Sequence, residues 1–276
     1  MCLISVPVQA DGPAWWRMSD EDTTILITGT VHILPQGLDW QRDDLSTIIE
    51  NATLMIQEFD DEQGQPAVIL PLTMKYGMLP AGGSLTAIIG EERFNRLVKA
   101  TEGKVPAIVL DRMRPWLAAT TASVMELVQA GYDPESGVDK ILQGMAQAAG
   151  VPIEGFETAE EQIKMLASME GEDAVALFQA TSDQDVDAGA EMEKLVSVWL
   201  SGDMEALAAT TMEEMGQYPA VMETLLYARN RNWASQTEKL LDRPGTIVIA
   251  VGAAHLAGEQ SLIDLLQSRG YSIERY

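Results

Sequence analysis

The chain carries the same short pattern near each end, and that repeat limits its possible folds more than any other feature. Ile25-Leu26-Ile27-Thr28 is an apolar, β-branched run that stops at Gly29 and leads into Thr30-Val31-His32. Thr246-Ile247-Val248-Ile249-Ala250-Val251 is a longer run of the same kind, and it stops at Gly252-Ala253-Ala254-His255. Runs with no polar alternation read as strands buried on both faces, as in parallel sheets covered by helices. Each histidine then lies three residues past a glycine at the C-terminal end of a strand, the end at which open α/β sheets bind ligands. These two are the only histidines among the 276 residues. A glycine at the break permits positive φ and close backbone approach, so that the chain turns sharply toward the crevice. The fold class expected is α/β, a central mixed β-sheet with the two histidine-bearing strands adjacent and helices on its flanks.

The intervening sequence fills in that plan. Gln41 to Asn51 has helical spacing, and Thr53-Leu54-Met55-Ile56 reads as a second buried strand ending at Gln57-Glu58. Val105 to Leu110 reads as a third strand, at an edge because of Pro106. Met113 to Ala130 and Val138 to Ala149 have helical period, the latter closed by Gly150, and Val151 to Glu157 is a short strand with an acid at its end. From Glu160 to Leu241 helix follows helix, with breaks at Gly171, Ser182, Gly202 and Tyr218-Pro219. This block, residues 160–241, is expected to be a mainly helical inserted layer over the sheet. Gly258 to Gln267 reads as an amphipathic helix and Tyr271 to Arg275 as a final strand. The 15 methionines fall mostly on apolar helical faces and read as packing. No linker divides the chain, so residues 1–276 are expected to form one domain.

Composition excludes several functions. A formal net charge of −24 repels phosphate backbones and anionic lipid, so nucleic acid is not an expected partner. The same field favours cations, although an excess of acid also serves plain solubility. The single cysteine, Cys2, rules out an internal disulfide and a cysteine-based zinc cluster. No run is long enough for a transmembrane helix. Residues 1–10 are mildly apolar without a basic start. They read either as the stub of a truncated signal ending near Ala10, implying a periplasmic or secreted protein, or as an ordinary start, implying a cytoplasmic one.

Imidazole can act as general base, metal ligand or transition-state donor, and each use needs a carboxylate nearby. Glu58, at the end of its strand, would share the sheet edge with His32; it also reads as a surface acid opening the loop Asp60-Asp61-Glu62. Glu157 has the same strand-end placement. Tyr227-Ala228-Arg229-Asn230-Arg231-Asn232-Trp233 puts an arginine and an asparagine on one helix, fit to bind a carboxylate or oxyanion, or simply to balance nearby acid. There is no Gly-x-Ser-x-Gly elbow, no Walker loop, no dinucleotide glycine fingerprint and no His-Glu-x-x-His helix.

Gly29-Thr30-Val31-His32 with Leu34-Pro35, the strand-end Glu58, Phe156 to Gln162, Arg229-Asn230 with Trp233, and Gly252 to Leu256 with Gly258-Glu259 resemble the TraB/PrgY/GumN family from Trp16 to the end. That family includes the Tiki proteases, described as metal-dependent and as using two Gly-x-x-His motifs with a glutamate. It is similar in plan to erythromycin esterase and ChaN-like proteins. The resemblance implies a hydrolase, with a peptide or small molecule as substrate, whose core is His32, Glu58 and His255. Arg229, Asn230 and then Glu157 stand behind them. It implies that His32, Glu58 and His255 hold one divalent ion, Mn, Co or Zn, whose bound water supplies hydroxide. The alternatives it leaves open are a metal-free esterase-like hydrolase and a ligand- or peptide-binding protein using the same cleft.

Overall fold

The computed structural model describes residues 12–60, 63–101, 103–182 and 187–276. Cys2 and the segment ending at Ala10 lie outside the described residues. The strands are β1 (Trp15–Ser19), β2 (Thr23–Thr30), β3 (Leu34–Pro35), β4 (Leu54–Gln57), β5 (Tyr132–Asp133), β6 (Ile153–Gly155), β7 (Gly245–Gly252) and β8 (Ile273–Arg275). Six of them form one mixed sheet in the order β6-β4-β7-β2-β1-β8, and β3 pairs with β5 apart from it. The two histidine-bearing strands are parallel neighbours, in register from Thr23 opposite Gly245 to Thr30 opposite Gly252. On the other side of β7 come β4 and then β6, both parallel to it, while β1 is antiparallel to β2 and β8 to β1. Four parallel strand ends therefore deliver His32, Glu58, Glu157 and His255 to one edge.

Burial on both faces explains why these strands show no polar alternation. Ile25, Ile27, Ile247, Ile249 and Val251 face one way, against Trp233 and Ala234 of the helix Ala228–Leu240 and Leu262 and Leu266 of the helix Leu262–Ser268. Leu26, Met55, Val248 and Ala250 face the other way. They pack on Val138 and Leu142 of the helix Val138–Ala149 and on Val196 and Trp199 of the helix Ala188–Leu200. Each buried isoleucine, leucine, valine or methionine among them stabilises the fold by about 1.5–3 kcal/mol relative to exposure. Two further apolar clusters join the helices Leu85–Ile89, Glu91–Ala100 and Pro115–Gln129 with Ala159–Ser168, Gly171–Ser182 and Pro219–Met222. The helical layer is therefore drawn from chain on both sides of β6.

Three expectations change. Val105–Leu110 is not a strand: Ala107–Leu110 is one turn of helix entered from Pro106. Leu110 alone turns fully inward while Ile108 is 78% exposed, so the apolar run never has two faces to cover. β1 was not anticipated, because Trp15 and Trp16 are both buried, one in each face's core, and mask the alternation. The glycines before the histidines act by close approach and not by positive φ, since Gly252 has φ −48° and Gly29 is absent from the positive-φ glycines.

At Gly29 a Cβ would lie 2.9 Å from both Cα and Cβ of Ala253, in the turn that carries His255. Backbone on the far side cannot yield as a flexible side chain would. Gly29→Ala is therefore expected to destabilise the protein by about 1–3 kcal/mol, read as a lower urea midpoint with an unchanged slope.

Candidate active site

Backbone pairing continues past the strands. The Phe156 N–H donates to Gln57 O at 3.0 Å and the Glu157 N–H to Glu58 O at 2.9 Å, which holds the two glutamates side by side. A Cβ on Gly155 would fall 2.6 Å from Asp60 N and Phe59 Cα, so only glycine lets these two strand ends approach. Arg229 and Asn230 follow a single wide π-turn, Glu223–Tyr227, at the start of the helix Ala228–Leu240. Such turns often mark functional positions.

Arg229 joins the buried groups. Its Nη2 donates to Glu58 Oε2 at 2.6 Å and reaches Glu157 Oε2 at 2.9 Å. Its Nε lies 3.0 Å from each Glu157 oxygen, and its Nη1 is 3.1 Å from His255 Nε2. An arginine can only donate, so His255 Nε2 accepts and Nδ1 carries the proton. That proton goes to Asn230 Oδ1 at 2.6 Å, and Asn230 Nδ2 in turn donates to Gln260 O at 2.9 Å. Trp233 closes the group: its ring lies 4.3 Å from that of His255 and 4.5 Å from the guanidinium carbon, and its Nε1 donates to Glu157 Oε1 at 3.0 Å. Burial, with the charges of Arg229 and His32 against the opposing charge of Glu58, pushes His255 down to about 3, so it is neutral near pH 7. Burial opposes the charge of Glu58, but Arg229 and both imidazoles outweigh it and bring the carboxyl down to about 2.

His32 differs in every respect. Solvent reaches 63% of its side chain. Its Nδ1 lies 3.1 Å from Asp139 Oδ1, and its Nε2 faces Glu58 Oε1 at 3.9 Å. Crowding by protein disfavours the charged ring, but the hydrogen bond and charge of Asp139, with the charge of Glu58, raise it to about 9. Given that exposure, the direction rests on the close Asp139 contact more than on distant charges. Asp139 is in the first turn of the helix Val138–Ala149, fixed by Gln57 Nε2 on its carbonyl at 2.9 Å. The Val138 N–H also donates to Val31 O at 2.9 Å. Sequence reasoning missed Asp139. It is 107 residues from His32, and its only signal was an acid in a helix's first turn, an ordinary preference. Gln162, whose Nε2 donates to Glu58 Oε2 at 3.2 Å, lay within the motif Phe156 to Gln162 but was not singled out as a site residue.

The structure thus brings His32, Glu58, Glu157, Arg229, Asn230 and His255 together. A Cβ built on Gly252 would lie 3.1 Å from Glu58 Oε1, 3.6 Å from His255 Cδ2 and 3.8 Å from His32 Nε2, so the two motifs converge on one point. The ligand trio His32, Glu58 and His255 does not fit a divalent ion as arranged. His255 presents a carbon edge to that point, with both nitrogens engaged by protein, and the guanidinium already answers the Glu58 charge. Among the described residues no three His, Cys, Asp or Glu side chains are spaced to hold a metal ion.

Comparison with known proteins agrees with the motif pattern. The model of the TraB/PrgY/gumN family matches residues 14–275. The uncharacterized protein YbaP of Escherichia coli (strain K12) is 24% identical over 242 residues, 87% of each chain. A metalloprotease TIKI homolog of Amphimedon queenslandica is 27% identical over 192 residues, 60% of this chain and 37% of that one. No solved structure matches.

Arg229→Met would leave Glu58 and Glu157, 13% and 11% exposed, without their shared cation. A loss of about 3–5 kcal/mol is expected at pH 7. Because the folded Glu58 pKa is depressed, the lost stabilisation is complete above the ordinary value of 4.5 and vanishes as pH falls toward about 2. Denaturation midpoints of the two proteins should therefore converge on acidification.

Proposed function

As the chain belongs to the TraB/PrgY/gumN family, we propose that it is a hydrolase acting on a peptide bond, with His32 and Glu58 as its acid–base pair. The observation that carries this reading is the pair itself. Two titratable groups face each other at 3.9 Å at an open recess, one raised to about 9 and the other lowered to about 2. Environments that push two pKa values apart assign the acid and the base. Near pH 7 His32 is the proton donor and Glu58 the acceptor. The name of the Amphimedon queenslandica relative supports peptide as substrate.

The steps balance without any further reactant. A water bound between the two groups gives a proton to Glu58 as its oxygen bonds to the scissile carbonyl carbon. The C–N bond breaks as His32 gives its proton to the leaving nitrogen. The proton on Glu58 then passes to His32, which restores both. Asp139 holds the His32 ring so that the exchanging proton sits on Nε2. Arg229 and the Gly252 N–H, 2.9 Å from Oε1, keep Glu58 ionised and aimed. His255 acts through Arg229 as a neutral acceptor that fixes the guanidinium. The metal-assisted version suggested by the relative's name requires a divalent ion to displace Arg229, and no step above uses one.

Turnover of a fluorogenic peptide library is expected in the wild type, to survive chelator, and to fall about 10²–10⁴-fold in His32→Ala and Glu58→Gln. The rate should hold through neutral pH and decline above about 9 as His32 loses its proton. Asp139→Asn should bring that decline to lower pH. Turnover abolished by chelator and restored by Mn²⁺, Co²⁺ or Zn²⁺ would replace this scheme with the metal-assisted one. Tight peptide capture without cleavage would make the protein a binder.

A further inference from the structure

Gln260 has φ 56° and is the one residue other than glycine with a left-handed backbone among the described residues. That conformation crowds Cβ against the neighbouring carbonyl, so it costs any residue with a side chain and persists only where the surroundings impose it. Packing of the side chain does not impose it here. Gln260 is exposed, and its Oε1 is approached by Arg231 Nη1 only at 3.4 Å. The main chain is held instead. Its N–H donates to Asp264 Oδ2 at 2.9 Å, and its carbonyl accepts from Asn230 Nδ2 at 2.9 Å. Asp264 is on the helix Leu262–Ser268 and Asn230 on the helix Ala228–Leu240, so two helices grip one residue by both of its backbone groups.

Asn230 carries that grip into the site. It is 1% exposed, and its Oδ1 lies 2.6 Å from His255 Nδ1. A carbonyl can only accept, so Nδ2 must face Gln260 and Oδ1 must face the ring. The ring then donates from Nδ1, which leaves Nε2 free to accept from Arg229 Nη1 at 3.1 Å. Turning the amide over would set Oδ1 against the Gln260 carbonyl and an Nε2 proton against the guanidinium, losing a buried hydrogen bond at each end. The arginine alone does not enforce this order, because Nη1 has a second acceptor in Leu225 O at 3.2 Å. The fixed end of the relay is the Gln260 carbonyl, whose direction follows from the left-handed backbone.

We infer that Gln260, held left-handed by Asp264, is a positioning residue: its carbonyl aims Asn230, which holds His255 in the Nδ1–H tautomer and so keeps Arg229 on Glu58. The conformation of the residue does this, and its side chain does not. On the hydrolase reading, on which the effect on turnover rests, a loosened Arg229 spoils the aim of Glu58 and lowers kcat without changing how substrate is bound. The hold on His255 stands on the geometry alone.

The tautomer can be read directly. With two histidines in the chain, nitrogen-15 spectra of untagged protein contain two imidazole rings, and His32→Gln assigns them. At pH 7 the wild type should show His255 protonated on Nδ1 and bare on Nε2; a proton on Nε2 overturns the proposal. Gln260→Gly and Gln260→Asn, which enter the left-handed region readily, should keep that pattern. Gln260→Val and Gln260→Thr, whose β-branched side chains resist it, should show a second tautomer with the proton on Nε2. In the peptide-library assay kcat should fall about 10–100-fold in the two β-branched variants with KM within about twofold, and stay within about threefold of wild type in the other two. Loss of the pattern in Gln260→Gly would assign the effect to the side chain, and a wild-type pattern in both β-branched variants would remove the backbone from the relay; either result overturns the proposal. Should neither β-branched variant fold, Asp264→Ala, an exposed position that frees the Gln260 N–H, is read in the same way. A second tautomer there supports the proposal and an unchanged spectrum overturns it. If the wild type cleaves nothing while the variants separate by tautomer as expected, the hydrolase reading falls and the positioning of His255 remains.

Discussion

A guanidinium withdrawn from water costs several kcal/mol unless its charge and its donors are all answered. Arg229 is answered by two carboxylates, an imidazole lone pair and the carbonyl of Leu225 at 3.2 Å. Those partners come from β4, from the chain beyond β6 and from the turn after β7. Neither carboxylate can shift without weakening the pairing of a buried charge, and His255 cannot shift without leaving a buried guanidinium donor unmet. The arginine therefore does for the polar edge of the sheet what the isoleucines do for its centre, fixing the relative heights of strands whose ends would otherwise be free. Burial, with the arginine beside it, explains why His255, so similar to His32 in sequence, is chemically unlike it. One ring accepts from a cation and is neutral, while the other is flanked by carboxylates and is charged.

The site consequently has a buried half and an open half, and Glu58 is the residue they share. Its Oε2 belongs to Arg229 and Gln162, and its Oε1 belongs to the Gly252 N–H and faces His32. Splitting one carboxylate this way lets the inner half set the charge and aim of the outer half without entering the recess. A fixed internal cation holds this carboxylate ionised, with burial opposing it.

How much of this was legible in the sequence follows from the range of each interaction. β2, β4 and β7, and the adjacency of β2 and β7, could be read because burial on both faces leaves a continuous apolar run, and because the β2 and β7 runs ended in a glycine and a histidine motif while the β4 run ended in Gln57-Glu58. β1 could not, since two adjacent tryptophans on opposite faces look the same as a cluster on one. Ala107–Leu110 misled because four apolar residues in a row have no period long enough to tell a helical turn from a strand. At the site, residues on strand ends or beside a recognisable motif were found. Asp139 was not, because it is an ordinary helix-start residue whose importance arises only when its helix is laid against the strand ends, and Gln162, although inside a quoted motif, was not singled out because nothing in the sequence aims its side chain at Glu58.

Gly252 illustrates a different kind of hidden residue. It lay inside a motif that was read, yet the reading went to the histidine that follows it. The signal is spatial, since any side chain there would occupy the space between Glu58 and both imidazoles. A glycine at the open end of a buried strand gives up packing and keeps that space clear for the groups that meet around it.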